Sequence, residues 1–118
     1  MLSEFKFEQV YLACGYTDLR LGINGLSALI KEHFELEPFQ KGILFLFCGR
    51  RTDRIKGLVW EGDGFLLLYK RLEDGRFQWP RTSEEVLNIT PQQYVWLMEG
   101  LSIEQKRLIK QVQPHKAM

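Results

Sequence analysis

The sequence predicts an α+β fold: an antiparallel β-meander of four to six strands, packed with an N-terminal helix and one or two C-terminal helices. Three observations carry this expectation. Apolar residues recur at three- and four-residue steps between Leu19 and Phe34, the period changes to two between Gly42 and Pro80, and Thr90-Pro91 is a helix-start signal. The length of 118 residues and a 45% hydrophobic composition suit one domain over residues 1–118, with the tail at 113–118 frayed.

Taken in order, Val10 to Cys14 read as a short apolar strand closed by Gly15. Thr17 or Asp18 is then placed to cap a helix by accepting a backbone N–H. The stripe Leu19, Ile23, Leu26, Leu29, Ile30 and Phe34 marks that helix, Gly22 and Gly25 weaken it, and Glu37-Pro38 stops it. Four strands are expected next, at 43–48, 54–61, 65–72 and 76–80, with Asp63-Gly64 and Asp74-Gly75 as tight turns. Two-residue loops at both dipeptides would set Lys56 opposite Arg71 and Ile55 opposite Leu72. One face is then apolar (Ile55, Val59, Leu68, Leu72, Phe77, Trp79), and the other mixes aromatic and basic residues (Lys56, Leu58, Trp60, Leu67, Tyr69, Arg71, Gln78). Val86 to Ile89 can add a short strand. Proline at the first helical position after Thr90 predicts a helix to Leu97–Gly100, and a second helix can run from Ser102 to Val112.

Charge is nearly balanced overall, with 16 Lys and Arg against 15 Asp and Glu, so a globally basic protein is excluded. Its distribution is not even. From Gly49 to Arg81 eight basic residues face five acidic ones, a local excess of three positive charges. Arg50, Arg51, Arg54 and Lys56 cluster on one turn and strand, with Lys70, Arg71 and Arg76 on the segment that pairs with it. Like charges placed opposite one another on a sheet destabilise it, so the Lys56 and Arg71 pair points to a nearby anion. A phosphate fits, because Arg presents a planar fork of donors and Trp60 and Tyr69 offer faces on which bases stack. The plain alternative is a solvated face whose apolar stems cover the two rings.

Catalytic machinery is not expected. Asp53, Asp63 and Asp74 fall at turns that cannot converge on a metal, Glu84 and Glu85 point to opposite faces of an extended segment, and neither His33 nor His115 has an obvious Ser or Cys partner. Cys14 and Cys48 form no ligand-spaced or redox motif and read as small buried hydrophobes. No metal or cofactor is expected, and neither a signal peptide nor a membrane span is recognisable, which makes a cytoplasmic address the default. In Thr17-Asp18-Leu19-Arg20, Asp18 reads as a helix cap with an ion pair to Arg20, and the role of Arg20 stays open between that pair and a binding edge.

Two stretches read together resemble one family. YLACGYTDLRLGINGL, Tyr11 to Leu26, and LFLFCGRRTDRIKGLVWEGDGFLLLYKRLEDGRFQWP, Leu44 to Pro80, are similar to the TnpB accessory proteins of bacterial insertion sequences of the IS sixty-six type, with a likeness extending over about residues 10–101. The chain departs from that pattern at Leu19, Leu21 and Asn24, where Met, Lys and Asp are usual. The resemblance implies a non-catalytic role in transposition, a form of DNA recombination, beside a separate transposase that carries the strand-transfer chemistry. Two modes of action fit. In one, Arg50, Arg51, Arg54, Lys56, Lys70, Arg71 and Arg76 bind nucleic acid. In the other the protein is an adaptor, with Leu58, Trp60, Leu67 and Tyr69 docking the transposase or a second copy of the chain, as in a homo-oligomer, and the Arg residues forming the rim.

Overall fold

A computed structural model describes residues 6–105. The elements are β1 (Gln9–Ala13), α1 (Ile23–Ala28), β2 (Ile43–Cys48), β3 (Arg54–Trp60), β4 (Phe65–Arg71), β5 (Val86–Ile89) and α2 (Pro91–Met98). The strands form one sheet in the order β4-β3-β2-β1-β5. Every residue of β2, ILFLFC, is buried, as expected of a central strand covered on both faces. Val10, Leu12, Leu44, Leu46, Ile55 and Val59 meet Tyr94 and Leu97 of α2 on one face. Phe45, Phe47 and Leu58 meet Leu26 and Ile30 on the other. The α+β class is as expected, with one refinement: β1 and β2 run parallel, joined across the sheet by α1, whereas the remaining pairs are antiparallel.

The N-terminal helix is shorter than its stripe suggests. It begins at Ile23 with Gly22 at the cap position and no side-chain cap, and it runs on through a π-helical turn over Leu29–His33. Thr17 and Asp18 therefore do not cap it. Asp18 instead closes a local turn, accepting the Arg20 backbone N–H at 3.0 Å while Leu21 N–H bonds the Asp18 carbonyl at 3.1 Å. Termination also precedes Pro38, because Glu35 adopts φ 55° and Leu36 N–H bonds back to the Ile30 carbonyl at 3.0 Å.

The β3–β4 register differs from the expectation by two residues. Glu61 N–H bonds the Gly64 carbonyl at 2.9 Å, so Gly62 and Asp63 are the central turn residues, with Gly62 at φ 96°. Lys56 consequently pairs with Tyr69, Ile55 with Lys70 and Arg54 with Arg71. An even shift moves partners along the strand but leaves every side chain on its face. The division into an apolar and a mixed face survives.

The stretch 76–80 is not a strand, so the meander has three strands, β2 to β4, rather than four. Leu72 N–H bonds the Asp53 carbonyl and Phe77 N–H the Thr52 carbonyl at 2.6 and 2.7 Å, drawing the chain across the turn between β2 and β3. From the β4 edge it must reach β5 at the opposite edge. It crosses at the end of the sheet, burying Phe77 and Trp79, and the Trp79 indole N–H bonds the Ala13 carbonyl at 2.7 Å.

Helix α2 starts as expected, with Thr90 Oγ1 accepting Gln93 N–H at 3.1 Å and the Gln93 side chain accepting Thr90 N–H at 2.8 Å, a closed capping box. At Ser102 the pattern differs, because its hydroxyl accepts Glu104 N–H rather than Gln105 N–H and residues 101–105 are not helical. The rest of the expected second C-terminal helix, and the tail at 113–118, lie outside the described residues. Burial pushes the Cys48 thiol up to about 12 and raises Cys14 as well, and both are free.

Candidate functional site

Parallel strands β1 and β2 end side by side, and the connections that leave those ends face one another. The segment between β1 and α1 supplies Tyr16, Thr17, Asp18, Leu19 and Arg20. The turn between β2 and β3 supplies Gly49, Arg50 and Arg51. Arg54 and Lys56 of β3 and Leu67 and Tyr69 of β4 complete an open cleft of about 920 Å³. A crevice outside the carboxyl ends of parallel strands is where open sheets commonly hold ligands, because diverging connections leave room there.

Five cations line the cleft, Arg20, Arg50, Arg51, Arg54 and Lys56. Two carboxylates offset them. Asp18 grips Arg20 in a two-pronged pair, with contacts of 3.0 Å to Nε and 2.8 Å to Nη2. The hydrogen bonds from Arg20 hold the Asp18 carboxyl well below its usual range, at about 2, so it stays ionised at any working pH. Asp53 pairs with Arg54 at 2.9 Å and lies 3.7 Å from Arg51, and hydrogen bonding to Arg54 lowers its pKa too. Five positive and two negative groups leave a net charge of three.

Arg50 and Lys56 stand apart from this pairing. The Arg50 guanidinium carbon sits 4.3 Å from the Tyr16 ring centroid and its Nη2 donates to the Tyr16 hydroxyl at 2.7 Å. Lys56 Nζ donates to the Leu21 carbonyl at 3.0 Å. Neither forms an ion pair with a carboxylate among the described residues.

Other residues singled out from sequence distribute differently. Arg76 lines an adjoining groove that also contains Arg50, Arg51 and Arg81, with Asp53, Glu73 and Asp74. Arg71 stands opposite Arg54 in the sheet, 3.8 Å from Glu73. Lys70 alternates to the apolar face, away from Tyr69 and the cleft. Of the residues suggested for docking, Leu58 is fully buried beneath α1, so it presents no docking surface, and Leu67 is half-buried. Trp60 joins Phe39 and Phe65 in an aromatic cluster with centroid separations of 4.9 to 5.1 Å, remote from the cleft lining. Tyr16 escaped the reading of the sequence, and Arg81 entered it only in the local charge excess. What marks Tyr16 is its position just past the end of a strand, a signal that gains meaning only once β1 is seen to run parallel to β2.

Among the described residues no group of three or more His, Cys, Asp or Glu side chains could hold a metal ion. No helix there is long and apolar enough to cross a membrane.

Residues 8–108 match the family described as IS66 Orf2 like protein. The chain belongs to that family. It is 36% identical over 101 residues to the uncharacterized protein y4hO of Sinorhizobium fredii, a match covering 86% of this chain and 87% of the relative. A second protein of that organism, y4jC, is 33% identical over 101 residues, covering 86% of each. No solved structure matches significantly. Membership makes this an accessory protein of IS66-type insertion sequences, from a family not known to be catalytic.

Proposed function

We propose that this accessory protein acts in transposition by binding nucleic acid in the cleft at the end of the sheet. One observation supports the reading above others: cations from three separate segments line one open cleft, and two of them, Arg50 and Lys56, form no ion pair with a carboxylate among the described residues. Guanidinium groups already held by a hydroxyl and a ring lose little freedom when a phosphate arrives, so ordering costs are reduced. Arg76 and Arg81 lie in the adjoining groove, where Asp53, Glu73 and Asp74 offset them, so the cleft itself carries the proposed contact. The test is an anisotropy titration of DNA from the ends of the element at rising salt. Affinity should fall steeply, since each neutralised phosphate releases counterions, and Arg50→Ala with Arg51→Ala should weaken it further. Absence of binding even at low salt removes the proposal.

A second reading, docking of the transposase or of another copy of the chain, draws on Phe39, which is 52% exposed beside Trp60 and Phe65. Exposed aromatic clusters of this kind anchor protein interfaces. Co-purification with the transposase that is lost on Trp60→Ala yet kept by the Arg50 and Arg51 double variant would favour it.

A further inference from the structure

We infer that the cleft selects an unpaired nucleic-acid strand over a duplex, with phosphates on the Arg50 and Arg51 wall and bases stacked on Tyr69 and on the joined Tyr16 and Arg50 surface. The inference deepens the proposed nucleic-acid reading and rests on it.

The shape of the basic surface is the first reason. Proteins that read duplex DNA push a helix or a two-stranded ribbon into a groove, so their cations ride on something convex. Among the described residues neither α1 nor α2 contains a Lys or Arg, and the π-helical turn that extends α1 carries only Lys31. The tip of the β3–β4 hairpin is acidic, with Glu61 and Asp63 flanking Gly62. Five cations instead line the walls of a concavity, a shape that favours a ligand able to reach into it.

Aromatic exposure is the second reason. Tyr16 and Tyr69, both in the cleft lining, are 57% and 54% exposed. A tyrosine face receives a base only where that base is free of its neighbours in a helical stack, which is the situation of a single strand or a splayed end. Arg50 lying on Tyr16 extends this flat surface, because guanidinium planes also accept bases.

Scale is the third. At about 920 Å³ the cleft is comparable with pockets that hold small ligands, roughly 300–1,000 Å³, a scale that suits splayed bases.

The decisive experiment titrates the full-length protein with a labelled mixed-sequence DNA oligonucleotide, presented alone and annealed to its complement, in one buffer of low salt. The single strand should bind at least about tenfold more tightly. Tyr69→Ala should lose about tenfold for the single strand, the scale of one stacked base, while Tyr69→Phe, which keeps the ring but gives up the hydroxyl's hydrogen bond with Arg54, should recover most of that loss. An RNA oligonucleotide of the same sequence tells the strand's source: tighter binding of RNA than of the DNA strand, lost equally on Tyr69→Ala, would support the same site with RNA as its ligand, and weaker binding would support it with DNA. Equal affinity for the duplex, or an unchanged Tyr69→Ala, overturns the inference and leaves phosphate binding standing. Failure of both DNA forms to bind sinks the broader proposal as well.

Discussion

Arg50 is joined to Tyr16 twice over, its guanidinium lying 4.3 Å from the ring centroid while Nη2 donates a 2.7 Å hydrogen bond to the hydroxyl. The two residues are 34 positions apart, and their contact closes the connection after β1 onto the connection after β2. The result is a cation held in place with no ion pair to a carboxylate among the described residues.

If Arg50 meets a phosphate, its replacement by Ala should change the salt dependence of DNA binding in a defined way. The slope of log affinity against log salt should become shallower by about 0.7 to 0.9, the value of one phosphate contact, and by a similar amount on unrelated DNA sequences. Titrations at four or five salt concentrations measure this. An unchanged slope would place Arg50 outside the interface.

An anionic ligand in the cleft would be opposed by Asp18. Because Arg20 holds its carboxyl down at about 2, Asp18 remains charged throughout the neutral range, and Asp18→Asn should raise DNA affinity a few-fold by removing a fixed negative charge from the cleft. The folded-state pKa lies below the unfolded one, so whatever stability the pair contributes is present above about pH 4 and disappears as pH falls through about 2. Carboxyl-carbon NMR should give a titration midpoint for Asp18 near 2, returning toward about 4 in Arg20→Ala.

Trp79 pins the crossing segment to the end of β1 through the Ala13 carbonyl, and its side chain is buried. Trp79→Phe keeps an aromatic ring but removes the indole N–H, leaving that carbonyl without this donor. A loss of about 1–3 kcal/mol in urea unfolding is expected, rising to about 3–5 kcal/mol for Trp79→Ala. A cost below about 0.5 kcal/mol for Trp79→Phe would show the bond to be dispensable.

Glu35 ends the π-helical turn at φ 55°, a conformation that L side chains with a Cβ adopt at a cost. Glycine removes that strain and gives back part of the gain as backbone entropy in the unfolded chain. Glu35→Gly should therefore stabilise the protein by about 0.5–1 kcal/mol, read as a raised denaturation midpoint with an unchanged slope.

Much of this molecule is written locally. The unbroken apolar run ILFLFC announces a strand buried on both faces, and Thr90, Pro91 and Gln93 specify the start of α2, because capping involves only groups within one turn. Alternation along β3 and β4 likewise assigned their faces correctly, and it tolerated a register displaced by two because side chains repeat every second residue. Which pair in Gly62-Asp63-Gly64 would form the turn was not legible, since either choice satisfies the local turn chemistry.

Long-range placement decided the rest. Residues 76–80 carry a strand-like pattern, yet the sheet order obliges them to leave the β4 edge and travel to β5, and burial of Phe77 and Trp79 on the way outweighs a fourth meander pairing. The cleft has the same origin. Arg50 and Lys56 were visible as cations near one another in the chain, but Tyr16 and Arg20 joined them only because α1 returns the chain so that β2 lies parallel to β1, an arrangement set by packing across the sheet and not by any neighbouring residue.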